Sequence, residues 1–272
     1  MLAIRACIKT FGDKIPQVVV FDTSFHQTMP PKAYMYPLPY EYYEKYGVRK
    51  YGAHGTSHRF VSDRVAVLEN KPKKDIKIIT CHLGNGCSIT AVKDGVCADT
   101  SMGFTPLDGF MMGTRSGTLD PSALTYIAEK EHLTPEDVNT ICNKKSGMLG
   151  ISGVSNDNRD ICAAAESGNE RAQLAIEMQR YEILKFVGSY IAAMNGVDAI
   201  AFTGGIGEND PDLRKYVCDN LTFVGVDIDE DKNKLRGEEV KISTPKSRVN
   251  VYVIPTNEEL AIARDTLAII SK

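Results

Sequence analysis

IKIITCHLGNGCSITAVKDGVCADTS, residues Ile76 to Ser101, is the stretch that decides the fold. Ile76–Leu83 is a short apolar run of strand length. Gly84-Asn85-Gly86 interrupts it and Cys87–Lys93 resumes it as a second strand. Asp94-Gly95 between apolar runs is a hairpin signal, because both residue types tolerate positive φ, so Val96–Ser101 reads as a third strand. Downstream, Pro121 opens a helix at the first-turn position it favours, with Asp120 as cap. Helical spacing runs through Arg171–Met194. Asp198–Thr203 reads as a buried strand, followed by a glycine turn and a helix starting near Pro211. Arg248–Ile254 alternates as a strand, and Asn257–Ile270 is a final helix. The order strand, strand, strand, helix, strand, helix, strand, helix specifies an α/β fold, a mixed sheet with helices packed on it.

Upstream the pattern is thinner. Ser57–Lys71 has Phe60, Val61, Val65 and Leu68 on one helical side, with Thr56 or Ser57 as its cap. Met29–Tyr43 is too rich in Pro and Tyr for one regular helix. Gln17–Phe25, QVVVFDTSF, reads as a buried strand ending at Asp22, and one strand is fewer than a stable sheet needs.

Composition excludes several classes. The 272 residues are 43% hydrophobic and 25% charged with a net charge of -3, and no basic block points to nucleic acid. No run approaches the roughly 18 apolar residues of a membrane span. The first fourteen residues are too short and too charged for a signal peptide. Seven cysteines, an odd number without a CxxC pair, argue against a zinc ribbon or a thioredoxin-type site and fit a reducing cytoplasm.

Four segments carry chemistry. In His82-Leu83-Gly84-Asn85-Gly86 two glycines let backbone N–H groups approach an anion, although a Gly-Asn-Gly turn is more often a plain hairpin. Phe202-Thr-Gly-Gly-Ile-Gly-Glu-Asn209 follows a buried strand, where a glycine turn sets a helix N-terminus beside a phosphate. It is neither a Walker loop nor a dinucleotide fingerprint. Arg115 lies in a segment with glycines at 103, 109, 113 and 117, and its planar fork suits a carboxylate or a transferring phosphoryl group. His54, in His54-Gly-Thr-Ser-His58, precedes the cap and is free to point into a cleft, whereas His58 is given a structural role. Asp22 reads equally as a metal partner, a proton acceptor or a turn cap. Glu258 and Glu259 open the last helix, where the dipole favours acids in any case.

Together these segments carry a family resemblance. VVVFDTSFHQTMP (18–30), YGAHGTSHRFV (51–61), ITCHLGNGCSI (79–89), DTSMGFTPLDGFMMGTRSGTLDPS (99–122), KKSGMLGISGVSNDNRD (144–160), FTGGIGEND (202–210) and PTNEELAIARDT (255–266) resemble the acetate and propionate kinases. The resemblance runs from about Gln17 to the end. It implies the actin, hexokinase and Hsp70 class (ribonuclease H-like), two duplicated α/β lobes with ATP between them. It assigns Asp22, His54 and Arg115 to catalysis and Glu258 to Mg²⁺, with Mn²⁺ as a substitute. It assigns ATP or ADP contacts to His82, Leu83, Gly84, Asn85 and Gly86, to Asp157, Asn158 and Arg159, and to Gly205, Ile206, Gly207, Glu208 and Asn209. The implied reaction moves the ATP γ-phosphoryl to acetate, with propionate or another short-chain carboxylate as an alternative substrate. A non-catalytic nucleotide-binding module is a further alternative, and a homodimer is the implied assembly. By the same resemblance, residues 1–70 are a remnant of the amino-terminal lobe, and 71–272 are the nucleotide-binding and dimerisation lobe. The family's first segment, with an Asn and Ser cluster and a further arginine, has no counterpart here, so weak activity is expected of this chain alone.

Overall fold

The computed structural model describes residues 2–12 and 14–271. Six strands, β1 (Ile78–Leu83), β2 (Cys87–Lys93), β3 (Val96–Thr100), β4 (Ala199–Thr203), β5 (Val240–Lys241) and β6 (Asn250–Val253), form one sheet in the order β3-β2-β1-β4-β6-β5. β1, β4 and β6 run parallel, while β2 lies antiparallel to β1, β3 to β2 and β5 to β6. The helices used below are α1 (Leu2–Phe11), α2 (Gly55–Leu68), α3 (Pro121–Glu131), α4 (Glu170–Met194), α5 (Gly204–Asn209), α6 (Pro211–Asp219) and α7 (Glu258–Ile270). The expected α/β fold is present, and the three strands of Ile76–Ser101 form with β2 on its expected residues. Asp94 and Gly95 take φ 56 and 78, the positive values that the hairpin needs. Asp120 caps α3 by accepting the Ser122 N–H.

Strand alternation separates two cores. Ile79, Cys81 and Leu83 share one face with Ile89, Ala91, Ile200, Phe202, Val251 and Val253, and Ile183, Val187 and Leu213 of α4 and α6 cover it. On the other face Ile78, Val92, Ala199, Ala201 and Tyr252 pack under Val61, Val65 and Ala66 of α2. That second face grades from apolar to polar along the strands. β1 presents Ile78, Thr80, then His82, and β4 presents Ala199, Ala201, then Thr203. The polar end lies at the carboxyl ends of parallel strands, where open α/β sheets bind their ligands.

Three expectations need correction. Gln17–Phe25 is not a strand: residues 16–21 are irregular, and Ser24–Thr28 is a 3₁₀ turn. Val19 and Phe21 are 46% and 66% exposed, and among the described residues no strand pairs with the segment, although Phe25 at its end packs against the α2 side of the sheet. The cap of α2 is His54, with Thr56 and Ser57 inside the helix. The glycine turn after β4 is itself a short helix, α5. α2 shares its hydrophobic cluster with the sheet.

Candidate active site

The site is built around the start of α2. His54 takes φ 57, a left-handed conformation costing a non-glycine residue about 1–2 kcal/mol. Asp22 holds it there. The His54 N–H donates to Asp22 Oδ2 at 2.6 Å, the Thr56 N–H reaches Oδ1 at 3.4 Å, and the Gly55 N–H donates to the Asp22 carbonyl at 2.8 Å. A Cβ on Gly55 would stand 2.2 Å from that carbonyl oxygen, so glycine permits the approach. Asp22 thereby places an anion at the positive end of a helix. The His54 ring is held by two contacts. Nδ1 lies 2.8 Å from Ser88 Oγ, and the imidazole stacks on His82 with centroids 4.2 Å apart.

His58 is buried beneath this pair. Its Nε2 lies 2.7 Å from the same Ser88 Oγ, and its Nδ1 lies 2.6 Å from Thr80 Oγ1. Ser57 Oγ lies 2.8 Å from His82 Nδ1. His26 sits alongside, its Nε2 2.9 Å from the Ala53 carbonyl. Burial drives all four rings toward the neutral form. His82 is held down to about 3 and His26 to about 4. His58 lies well below its usual value, with the neighbouring histidines adding to burial. His54 is lowered by burial, which Asp22 opposes and Arg115 reinforces.

Arg115 faces His54 across Gly86. A Cβ on Gly86 would be 3.2 Å from Arg115 Nη1 and 3.6 Å from His54 Nε2, so both side chains flank one open stretch of backbone. Arg115 Nη1 reaches the Pro106 carbonyl at 3.3 Å and Met112 Sδ at 3.7 Å. Among the described residues no carboxylate pairs with it. Glu258, the first residue of α7, has its pKa raised by burial and then by the Asp22 and Glu259 carboxylates. No group of three His, Cys, Asp or Glu side chains forms a metal cage among the described residues. Glu258 with Asp22 nearby fits Mg²⁺, which takes one or two carboxylates and completes its shell with water and substrate phosphates.

The three expected nucleotide segments meet beside this site. The Gly113 N–H donates to the Asn85 carbonyl at 3.1 Å, and Asn156 Nδ2 donates to Asn85 Oδ1 at 3.2 Å. Asp157 caps the helix Asn158–Glu166, accepting the Arg159 N–H at 2.9 Å. The Arg159 side chain also binds Asp157 and holds its carboxyl down to about 2. Asn158 Nδ2 donates to Asp210 Oδ2 at 3.2 Å, tying this helix to the junction of α5 and α6. Gly204 takes φ 78, and a Cβ there would lie 2.8 Å from the Leu83 carbonyl, which seats α5 against the end of β1. Gly205 and Asn209 are exposed, and open space surrounds the Gly205 α-carbon. Not all the expected contacts point outward. Leu83 and Gly207 are buried, Ile206 packs against the core, and Glu208 folds back to accept the Gly204 N–H at 2.9 Å.

The acetokinase family model matches residues 1–264. The chain belongs to the acetokinase family. The acetate kinase of Methanosarcina thermophila is 56% identical over 270 residues, 99% of this chain and 66% of that protein. The acetate kinase of Thermoanaerobacterium thermosaccharolyticum is 59% identical over 268 residues, 98% and 67% of the two lengths. Among solved structures, Porphyromonas gingivalis acetate kinase superposes with a TM-score of 0.96 at 50% identity, covering 99% of this chain and 68% of that one. A propionate kinase from Francisella tularensis gives 0.90 at 48% identity, covering 97% and 67%. The chain thus spans 66% of the length of the first curated relatives that it matches. In this acetokinase-family chain, three residues join the site that their types alone had not flagged, Ser88, Asn156 and Asp210, while His58 is buried between Thr80 and Ser88. Alternation supplied a signal for two polar neighbours, because Ser88 and His82 sit opposite each other on the face that α2 covers.

Proposed function

We propose that this chain supplies the phosphoryl-handling groups of an acetate kinase, transferring the γ-phosphoryl of ATP to acetate and giving acetyl phosphate and ADP. The observation that carries this reading is the pairing across Gly86 of His54 with an Arg115 that no carboxylate among the described residues binds, at the carboxyl ends of β1 and β4. An acetate oxygen attacks the γ-phosphorus as the bond to the β,γ-bridging oxygen breaks, and its electrons leave with ADP. A carboxylic acid with a pKa near about 4 is already ionised at neutral pH, so no base is needed. The difficulty is bringing two anions together, which alignment and charge neutralisation solve. Arg115 offers a planar cation to the transferring group, and His54 offers one ring edge. Asp22 serves by fixing the His54 backbone. Glu258, with Asp22 nearby, would hold Mg²⁺ (or Mn²⁺), which would neutralise the nucleotide phosphates. The nucleotide itself lies along His82–Gly86, Asp157–Arg159 and Gly205–Asn209. Acetate is the favoured acceptor, and the similarity to a propionate kinase supports propionate as the second candidate. We place the enzyme in the cytoplasm as a homodimer joined through residues 71–272. The free state of all seven cysteines supports the compartment. No helix among the described residues is long and apolar enough to cross a membrane.

The test is hydroxamate trapping of acyl phosphate with ATP, Mg²⁺ and acetate or propionate. Product that requires both ATP and the carboxylate is expected, and Arg115→Ala should lower it by about 100-fold or more. ATP hydrolysis without carboxylate dependence, or an Arg115→Ala variant of undiminished rate, would contradict the proposal.

A further inference from the structure

Ser88 and His58 are fully buried, and both are bound to the His54 ring, which the proposed function sets at the phosphoryl group. Thr80 Oγ1, His58 Nδ1, His58 Nε2, Ser88 Oγ and His54 Nδ1 form a continuous hydrogen-bonded line with contacts of 2.6, 2.7 and 2.8 Å. Ser88 and Thr80 are both completely buried, as is His58, so no solvent competes for these atoms. A serine hydroxyl carries a single proton, so Ser88 can donate to only one of its two imidazole neighbours. Among the described residues Ser88 Oγ has no other acceptor in reach, so that proton goes to one of the two rings and the line has two directions. In one, Thr80 donates to His58 Nδ1, His58 Nε2–H donates to Ser88, and Ser88 donates to His54 Nδ1. His54 then carries its proton on Nε2, the edge beside Gly86 and Arg115. In the other, every donor reverses, and His54 presents a lone pair to that edge. The reversed line sends the Thr80 hydroxyl proton to the Thr90 carbonyl at 3.5 Å, the longest contact in the group.

We infer that the line runs toward His54, making Ser88 and His58 positioning residues that set its tautomer and present Nε2–H to the phosphoryl oxygens. A neutral imidazole can offer a donor to an anion only in this form. It does so without adding a second full charge beside Arg115. Thr80 completes the line as its terminal donor. The inference rests on the phosphoryl-transfer reading for its purpose, but not for its test.

The experiment is long-range ¹H–¹⁵N correlation of the ¹⁵N-histidine-labelled chain at neutral pH, with the His54 signals assigned by their loss in His54→Gln. Expected is a neutral ring with a pyrrole-type Nε2 and a hydrogen-bonded, pyridine-type Nδ1. In Ser88→Ala the Nδ1 signal should move to the position of a free acceptor, and Nδ1–H should rise in population. A pyrrole-type Nδ1 in the wild type would overturn the inference, as would His54 signals unmoved in Ser88→Ala. The wild-type spectrum decides even where a variant does not fold. Because no turnover is measured, failure here is distinct from failure of the kinase reading, which the hydroxamate assay addresses.

Discussion

Val18–Phe21 and Ile78–Leu83 are both short runs of apolar, strand-forming residues, and they have opposite fates. Ile78–Leu83 becomes β1, the third strand in the sheet order, paired on both edges and packed on both faces. Val18–Phe21 stays irregular, with Phe21 66% exposed. Intrinsic strand preference spans only about 1 kcal/mol and measures fit to neighbours more than a property of the backbone. The difference shows that strand formation here is decided by partners. β2 follows β1 through a short turn and β4 arrives on its other edge, while nothing among the described residues pairs with 18–21. A second lesson sits inside the weak region. Asp22, one residue beyond the unpaired run, is tightly bound because α2 supplies the N–H groups that a lone strand end lacks.

The comparison can be broken by truncating one aromatic ring in each region. Phe202 is fully buried in the sheet core, and Phe202→Ala should destabilise by about 3–5 kcal/mol. Phe21→Ala should stay within about 0.5 kcal/mol, as for an ordinary surface change. Urea midpoints measure both, and similar losses would mean that 18–21 is docked after all.

Acid tests the same asymmetry through the histidines around α2 and β1. Burial holds His26 down to about 4 in the folded chain against an ordinary value of 6.5, so the unfolded chain binds more protons in that interval. Stability is full above pH 6.5 and falls as pH drops from 6.5 toward 4. The loss is about 1.4 kcal/mol per pH unit for a single such residue. His82, held at about 3, acts in the same direction over a longer interval. Urea melts at pH 7 and pH 5 should show the loss, with His26→Asn flattening it. A stability independent of pH over that range would show these rings to be solvated.

Asp22 gives the finer discrimination. Asp22→Ala removes the acceptor for two N–H groups at the start of α2 and should cost about 1 kcal/mol, in the range of a lost cap. Its neighbour Val19→Ala should cost less than about 0.5 kcal/mol. Smallest in energy but sharpest in position is hydrogen exchange. Amides of 18–21 should exchange as in an open chain, and those of Ile79–Cys81 only with global unfolding.

Most of the lobe was legible because its signals were local and agreed with one another. The Asp94-Gly95 turn, the Asp120 cap and the apolar runs of β1, β2 and β4 each fixed an element without reference to the rest. Gln17–Phe25 was misread because a strand pattern says nothing about whether a partner exists. His54 was placed outside the helix because a left-handed histidine cap lies outside the usual Ser, Thr, Asp and Asn rule. The glycines of 204–207 suggested a turn, yet α5 forms because Glu208 and Asn209 fold back onto its first turn. Motifs located the parts of the site. What they left out was the supporting Ser88, whose contacts with His54 and His58 arise only when α2 is laid across the sheet.

The central claim is that the His82–Gly86 turn, the helix start at Asp157–Arg159 and α5 bind a nucleotide, and titration calorimetry with ATP and Mg²⁺ tests it most directly. The account predicts saturable binding to the folded chain at one site. It also predicts at least about tenfold weaker binding in Gly205→Leu, which fills the open space at the start of α5 without requiring a left-handed backbone. A folded chain that binds no ATP, or a Gly205→Leu variant that binds as tightly as the wild type, would contradict it.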